Sequence, residues 1–357
     1  MIEEDGFMRA TLLKKCLFAC AAAALAVLAH ASAVRGEEIP ATTRTPVGQY
    51  LFRFEVNMKS LSNLAVECSV IMPYYENNNY QDIEYRTLPG VVRDMLHGKA
   101  KFIEVPVTLA PKEKRVVVSE FVATVYDAET DFSKIGELYP YDKTSREYQL
   151  YTGKGYRYVD PDSKLLIELH DKIADGPKND LEFARAAFNH INKNFVYSRG
   201  ARESMDAIIK SRRGSCQDMN GLFVSLLRRH GIPARLMGGY QVTGGAHARA
   251  EFYLERYGWI PVDLAYLTKD PEEQFFGKQI NDVFAALVCD NHSDNNYLPG
   301  DEYGFLVSRP FDGILTPRVY GGGTMVSAAS AVGNVTKLEN GEPVGKPKGL
   351  DYLRSGN

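Results

Sequence analysis

The chain has 357 residues, of which 45% are hydrophobic and 24% are charged, and its formal net charge at pH 7 is −3. A chain of this length can form two or more domains, each with a core of its own. Acidic and basic residues are mixed along the whole length, without the basic clusters typical of nucleic-acid-binding proteins. We therefore expect no nucleic-acid partner.

The first 36 residues have the pattern of a secretory signal peptide. Lys14 and Lys15 precede an apolar run at 16–29, and Ala31-Ser32-Ala33 is a cleavage site of small residues. The alternative is an uncleaved membrane anchor, for which this apolar run is short. We predict an exported protein, periplasmic or extracellular, that meets the membrane only transiently through this segment.

The next part of the chain has the pattern of a β domain. Residues 37–48 lack apolar periodicity, which predicts a linker. Residues 49–127 contain alternating apolar runs between Pro, Asn and Gly turns, which predicts an antiparallel β-sandwich-like domain. The predicted strands are 50–56, 65–73, 102–109 and 115–126. We expect this domain to support the domain that follows it or, alternatively, to bind carbohydrate or another envelope polymer through Tyr74, Tyr75, Tyr80 and Tyr85.

A second domain is predicted at 161–320, after a polar, weakly patterned connector at 128–160. Amphipathic helices open it at 163–170 and 180–194. Each helix carries a histidine, which we expect to be a surface or packing residue rather than a ligand. The predicted buried residues of the second helix are Phe183, Ala187, Phe188 and Ile191, and the two histidines are His170 and His190.

The segment 214–233 predicts a helix with a cysteine at its first position. Ser215 is a suitable N-cap, Asp218 completes a capping box, and Gly231 suits the C-terminal cap. Unpaired N–H groups and the helix dipole favour thiolate over thiol at Cys216. This is the environment of a nucleophile, although a free cysteine is more often a small buried hydrophobic residue.

Two β-strands follow this helix. The alternating segment 247–254 and the segment 259–263 predict a hairpin that carries His247 and Asp263. The even spacing places both residues on one face of the sheet, and they pair directly if the hairpin is symmetric about Glu255. The order Cys, His, Asp supplies a nucleophile, a base and a residue that orients the base.

From roughly 160 to 280 the chain resembles the transglutaminase-like superfamily, which is related to papain-type cysteine peptidases. The motifs that carry the resemblance are Gly214-Ser215-Cys216, Arg228 to Arg235 (RRHGIPAR), Gly239-Tyr240, His247-Ala248-Arg249-Ala250-Glu251 and Gly258-Trp259-Ile260-Pro261-Val262-Asp263. The resemblance implies an α+β fold with the catalytic helix packed on an antiparallel sheet. It also implies that Cys216 is the nucleophile, His247 the general base and acid, and Asp263 its orienting partner.

The activity implied by the resemblance is acyl transfer on protein or peptide amides through a thioester, without a cofactor. Attack on the thioester by water gives peptidase or deamidase activity, and attack by an amine gives transamidation; the sequence does not choose between them. The alternative is a catalytically silent transglutaminase-like binding or scaffold protein of the cell envelope.

Candidate substrate-binding residues lie beside the three catalytic candidates. Arg249 occupies a position where the family usually has tryptophan, which predicts a groove suited to an acidic substrate. The alternative is a charge pair between Arg249 and Glu251 or another acidic neighbour. Trp259 and Gln217 are the other candidates.

The remaining features point to no metal site. Cys68 and Cys289 either form a disulfide or are buried thiols, and no cysteines show the spacing of zinc ligands. The oxygen-rich segment 290–296 lacks the Gly and Glu of an EF-hand loop and is predicted to be a solvated loop. Residues 321–357 are predicted to be a disordered tail, whose removal should leave the fold intact.

Overall fold

The structure is a computed structural model. It describes residues 38–94, 101–154, 159–198, 204–241, 246–265, 276–279, 284–288, 318–321 and 326–350. The predicted signal peptide, Cys289 and the segment 290–296 lie outside these residues. Within them, every helix is too short or too polar to cross a membrane.

The described strands and helices follow in chain order. The strands are β1 (Thr42–Ser60), β2 (Val66–Pro73), β3 (Gln81–Thr87), β4 (Val91–Asp94), β5 (Lys101–Leu109), β6 (Lys114–Thr130), β7 (Val196–Tyr197), β8 (Arg213–Gly214), β9 (Ala234–Gln241), β10 (Ala246–Leu254), β11 (Gly258–Val262), β12 (Lys278–Gln279), β13 (Phe284–Val288), β14 (Arg318–Gly321), β15 (Val326–Glu339) and β16 (Glu342–Gly349). The α-helices are α1 (Arg146–Tyr151), α2 (Lys164–Ala174), α3 (Asp180–Asn194), α4 (Met205–Ser211) and α5 (Cys216–His230).

Two antiparallel sheets form the β-sandwich-like part of the molecule. One has the order β12-β6-β1-β15-β16, with β3 also paired to β6, and the other has the order β14-β2-β5-β4. Their inward side chains share one core, to which both sheets contribute. Examples are Phe52, Phe54 and Phe121 from the first sheet and Val70 and Ile103 from the second. The alternating apolar residues of these strands explain this arrangement, and the predicted antiparallel β domain is confirmed.

The predicted linker and the predicted disordered tail are both wrong. Residues 42–48 belong to β1, and β15 pairs with β1 from Gln49 to Ser60. The tail residues contain many Gly, Ala and Ser and so lack apolar alternation, yet neighbouring strands supply the contacts that make them a strand. The β domain is therefore discontinuous in sequence, and strand β14 adds residues that were assigned to the catalytic domain.

The second part of the molecule, which carries the three catalytic candidates, consists of helices on a four-stranded sheet with the order β11-β10-β9-β13, called the catalytic sheet after them. The predicted helix at 180–194 is confirmed at both ends, and its four predicted core residues are buried. Helix α5 packs on the sheet, where Phe223 meets Phe252 of β10 edge to face. This arrangement confirms the predicted α+β fold.

The β domain covers the other face of the catalytic sheet. Tyr80 packs with Met237 of β9 and Ala128 of β6 in a small buried cluster. Tyr75 is also buried, and Tyr74 stacks on Tyr85 at 5.0 Å. Tyr75 and Tyr80 therefore form packing contacts, whereas Tyr74 and Tyr85 are half-buried. The carbohydrate-binding alternative stays a prediction.

Candidate active site

The N-terminus of α5 places Cys216 at the edge of the catalytic sheet. The buried carboxylate of Asp218 accepts hydrogen bonds from the backbone N–H of Ser215 at 2.8 Å and from its hydroxyl at 2.9 Å. This is the predicted capping box. A Cβ atom on Gly214 would lie 2.6 Å from the Cβ of Asp218, so only glycine leaves room for this cap. Strand β7 pairs with β8 and brings Tyr197 opposite Gly214.

The hairpin of β10 and β11 brings His247 and Asp263 together. Its pairs run from Ala250 with Val262 to Leu254 with Gly258, so the hairpin is centred one residue later than the symmetric register requires. The predicted direct pairing of His247 with Asp263 is therefore wrong. Asp263 follows Val262, the last paired residue of β11. It lies diagonally from His247 on the same sheet face, within reach of the His247 side chain. The Nε2 atom of His247 is 2.7 Å from Oδ2 of Asp263.

The pair of His247 and Asp263 is buried and electrostatically coupled. Burial opposes a charge on the imidazole, but the charge and hydrogen bond of Asp263 and a hydrogen bond with Cys216 raise the pKa of His247 to about 10. Burial also raises the pKa of Asp263, but the His247 charge and hydrogen bond and the Arg249 charge outweigh it and lower that pKa below its ordinary value. The pair thus favours an imidazolium held by a carboxylate, next to the cysteine sulfur.

Asn220 is a site residue that the sequence reasoning did not identify. It lies one turn after Cys216, and its amide donates to the backbone carbonyl of Ala248 at 3.0 Å and approaches Oδ1 of Asp263 at 3.4 Å. Its carbonyl oxygen accepts from the N–H of Leu264 at 3.1 Å. Asn220 therefore ties the catalytic helix to both strands that carry the other two candidates. The sequence does contain a signal for this role, because Asn220 is a polar residue in the middle of an apolar helix face.

Replacing Asn220 by alanine should lower the free energy of unfolding by about 1–3 kcal/mol, because it leaves buried backbone groups without their partners. Urea denaturation of the full chain measures this change. Gln217, on the same helix and partly exposed, provides the matched control, and we expect Gln217→Ala to change stability by less than about 0.5 kcal/mol. Equal effects of the two substitutions would contradict the assigned role of Asn220.

The structure does not support Arg249 as a groove-lining residue. Its side chain is 2% exposed and lies under the β domain, with the guanidinium 5.7 Å from the ring centre of Tyr80. It lies on the same sheet face as Asp263 and lowers the pKa of that carboxyl. The structure instead favours the alternative, a charge interaction of Arg249 with an acidic neighbour, here Asp263. The covering β domain, which the strand pattern does not reveal, is the physical reason.

Trp259 and Gln217 have different surroundings. Gln217 is partly exposed directly beside Cys216, as a residue that contacts substrate requires. Trp259 lies four residues before Asp263 along an extended strand, on the order of 13 Å away. It stacks under the guanidinium of Arg235 at 3.9 Å and lines a cleft of about 310 Å³ that contains none of the three catalytic candidates.

The segment that contains the helix and the hairpin is similar to known proteins. The sequence model of the transglutaminase-like superfamily matches residues 167–264, a range that includes Cys216, His247 and Asp263. The chain is also 32% identical over 136 residues to an uncharacterized protein of Haemophilus influenzae, a match that covers 29% of this chain and 37% of that protein. The match thus spans little more than a third of that relative.

One solved structure resembles the fold, and a second is similar over part of the chain. A candidate cysteine protease from Cytophaga hutchinsonii has 16% sequence identity and a TM-score of 0.51, over 86% of this chain and 95% of that one. The periplasmic domain of TgpA from Pseudomonas aeruginosa also has 16% identity, with a TM-score of 0.36 over 61% of this chain and 87% of that one. The first likeness shows that the fold, including most of the β domain, occurs in another protein.

Proposed function

We propose that this protein, whose residues 167–264 match the sequence model of the transglutaminase-like superfamily, is a thiol-dependent acyl-transfer enzyme that acts on protein or peptide amides. The observation that carries the proposal is the buried contact of 2.7 Å between His247 and Asp263, with the imidazole hydrogen-bonded to Cys216. A histidine that only packs in a core does not need both a carboxylate and a helix-tip thiol as partners.

In the first step, the Cys216 thiolate attacks the carbonyl carbon of a substrate amide. The S–C bond forms, and the tetrahedral intermediate collapses as the C–N bond breaks. The leaving amine takes a proton from the His247 imidazolium, and the product is a thioester with Cys216. Asp263 holds Nε2 of the imidazole, which directs the other ring nitrogen, Nδ1, toward the reacting atoms. The N–H of Cys216, at the helix N-terminus, is a candidate donor to the oxyanion.

In the second step, water or a second amine attacks the thioester carbonyl. His247, now neutral, takes a proton from the attacking group, and the C–S bond breaks to release the thiolate. Water gives hydrolysis, and an amine gives transamidation. The outcome depends on whether water or an amine reaches the thioester, and both reactions regenerate the same thiolate and imidazolium.

We also propose that the protein is exported. The support is the charged, apolar and small-residue order of residues 1–36, which is the pattern of a secretory signal peptide. An exported enzyme of this kind meets proteins, peptides and envelope polymers that carry accessible amides. Detection of the mature chain in a periplasmic or culture fraction, beginning after Ala33, tests this proposal, and recovery of the uncleaved chain with the cell interior contradicts it.

Alkylation of Cys216 provides the test of the activated thiol. We expect dilute iodoacetamide to add one label at Cys216 at pH values well below 8.5, the ordinary range for thiol ionisation. His247→Ala should slow this labelling strongly, because the imidazolium that stabilises the thiolate is lost. Intact-mass spectrometry across pH 5 to 9 measures the rate.

The controls use the other cysteines. Cys68 is a free, buried thiol whose pKa is raised by burial, so it should stay unlabelled in the folded protein. Cys289→Ser removes the remaining thiol beyond the signal peptide. Slow labelling of the wild type at every pH, at the same rate as His247→Ala, would instead favour a catalytically silent scaffold protein.

A further inference from the structure

Two connections lie side by side at one end of the β-sandwich-like domain. Residues 59–65 lead from β1 to β2, and residues 110–115 lead from β5 to β6, so each connection joins one sheet to the other. The backbone N–H of Lys112 donates to the carbonyl of Ser62 at 3.3 Å, which ties the two connections together. They therefore form one surface, which we call the sandwich tip.

The sandwich tip exposes two leucine side chains. Leu64 is 76% exposed, more than any other large apolar residue in the described part of the chain, and Leu61 is 48% exposed. Ser62 between them is buried, and its hydroxyl accepts a hydrogen bond from the N–H of Leu64 at 2.9 Å. Single exposed apolar residues are common on protein surfaces. Here two leucines are held outward by the same hydrogen-bonded turn.

Basic side chains surround these leucines. The exposed lysines of the sandwich tip are Lys59, Lys112 and Lys114. The ammonium of Lys112 donates to the carbonyl of Leu61 at 2.7 Å, so a positive charge lies directly beside one leucine. Glu113, the only acidic residue within 59–65 and 110–115, is paired with Arg115 at 2.6 Å. Glu67 on β2 is the next acidic residue, and the tip keeps a net positive charge even when Glu67 is included.

The turn itself does not require Lys112. The φ angle of this residue is 58°, a left-handed conformation that glycine adopts without steric cost and that lysine rarely adopts. A turn selected only for its backbone shape would therefore favour glycine at this position. Lysine instead supplies the ammonium group next to Leu61, which indicates that the charge has a use at this place.

Apolar side chains surrounded by lysines match the surface of a membrane that carries negative charge. The boundary between headgroups and hydrocarbon accepts leucine side chains, and anionic headgroups attract lysines. We propose that the sandwich tip binds the protein to the surface of an anionic phospholipid bilayer, with Leu61 and Leu64 inserted among the headgroups. A second copy of the chain is a poor occupant of this surface, because two positively charged tips repel each other.

The sandwich tip is well separated from the catalytic candidates. On β1, the ring of Phe54 lies 6.2 Å from that of Tyr240, which neighbours the β9 residue paired with His247. Ser60 lies six residues beyond Phe54, on the order of 20 Å along an extended strand. Binding at the tip therefore leaves the candidate active site in solution. It adds a reversible membrane contact to the transient one expected for the signal peptide, and it does not depend on acyl transfer.

Co-sedimentation with phospholipid vesicles tests the proposal. The chain from residue 34 onward, the form expected after cleavage, is used because the apolar run of the signal peptide would itself bind lipid. Vesicles that contain phosphatidylglycerol are compared with vesicles of phosphatidylcholine alone. We expect binding to the anionic vesicles, weakened by added NaCl because salt screens the attraction. Binding to the neutral vesicles should be much weaker.

Two substitutions separate the apolar contribution from the charge. Leu64→Asn should weaken binding to the anionic vesicles about tenfold. Lys112→Gly should weaken it about fivefold. Neither substitution should unfold the protein, since Leu64 is exposed and glycine fits the left-handed conformation at 112. Leu88→Asn and Lys178→Gln change an exposed leucine and an exposed lysine outside the tip. They are the matched controls and should bind as the unsubstituted chain does.

Three results would overturn the proposal. The first is equal binding of the unsubstituted chain and both tip variants, and the second is equal binding, or none, to anionic and neutral vesicles. The third is a dimer in sedimentation velocity that Leu64→Asn dissociates, which would assign the tip to a second copy of the chain. Iodoacetamide labelling of Cys216 should be unchanged in the tip variants. A failure of the acyl-transfer proposal would therefore appear in that labelling and leave the vesicle result unaffected.

Discussion

Replacing His247 by alanine should slow acyl transfer from an amide by about 10²–10⁴-fold, the usual contribution of a positioned general acid and base. The leaving amine then has no proton donor, and the thiolate loses its counter-ion. Single-turnover formation of the thioester, followed by intact mass, measures the effect. An activated ester as acyl donor should be affected less, because its leaving group departs without a proton.

Asp263→Asn separates orientation from charge in the same experiment. It keeps the shape of the side chain but removes the charge that raises the pKa of His247, so the rate should fall and the alkaline limit of activity should move to lower pH. In the wild type, acylation that needs the imidazolium should persist toward pH 10. As a control, His190→Ala should change neither the rate of acylation from the amide nor the rate from the activated ester. An unchanged amide rate in His247→Ala would sink the assigned mechanism.

The raised pKa of His247 also links pH to stability. The folded state holds this proton more tightly than the unfolded state, in which the pKa of the histidine is near the ordinary 6.5. The contribution of His247 to the free energy of unfolding is therefore complete below that pH. It is lost as pH rises through about 10. The lowered pKa of Asp263 also stabilises the folded state, but its pH dependence is reversed. Its contribution to the free energy of unfolding is lost as pH falls below the ordinary carboxyl range.

Removing residues 326–357 should abolish cooperative folding of the β domain, contrary to the expectation from sequence that this segment is dispensable. The deletion removes the neighbour of β1 along Gln49–Ser60 and, among its described residues, three buried apolar side chains, those of Val335, Leu338 and Leu350. At about 1.5–3 kcal/mol for each buried apolar side chain, the loss approaches the whole net stability of a domain, about 5–15 kcal/mol. Thermal unfolding and solubility of the truncated chain test this.

Point substitutions within the same hairpin control for the length of the deletion. Val335 is 2% exposed and Val344 is 43% exposed. We expect Val335→Asn to lower Tm by several degrees and Val344→Asn to change it little. A soluble truncated chain that unfolds cooperatively near the wild-type Tm would contradict the structural role of β15 and β16.

The catalytic helix could be predicted from sequence to its end residues, because its signals are local. Ser215, Asp218 and Gly231 act within one or two turns of the helix they begin or end, so no distant contact is needed to interpret them. The helix at 180–194 could also be predicted, from the helical spacing of its buried apolar residues. The ends of a helix can be predicted from the sequence where the residues that cap it lie within the segment itself.

The register of the hairpin and the setting of Arg249 could not be predicted in the same way. The turn uses Arg256 with φ of 70°, a left-handed conformation that its residue type does not signal. That choice shifts the pairing by one residue. Arg249 lies on the polar side of an alternating strand, which normally faces water. It is buried instead, and one of the side chains beside it is Tyr80 of the β domain, about 170 residues earlier in the chain.

The position of β15 beside β1 sets an order on the synthesis of the molecule. The ribosome makes β1 well before β15, so one edge of β1 remains without its final neighbour while the strands and helices between them are produced. At about 5–20 residues per second this interval lasts on the order of tens of seconds. An open strand edge during that time is prone to wrong pairing. The nascent chain should therefore depend on chaperones that cover strand edges until β15 has been made.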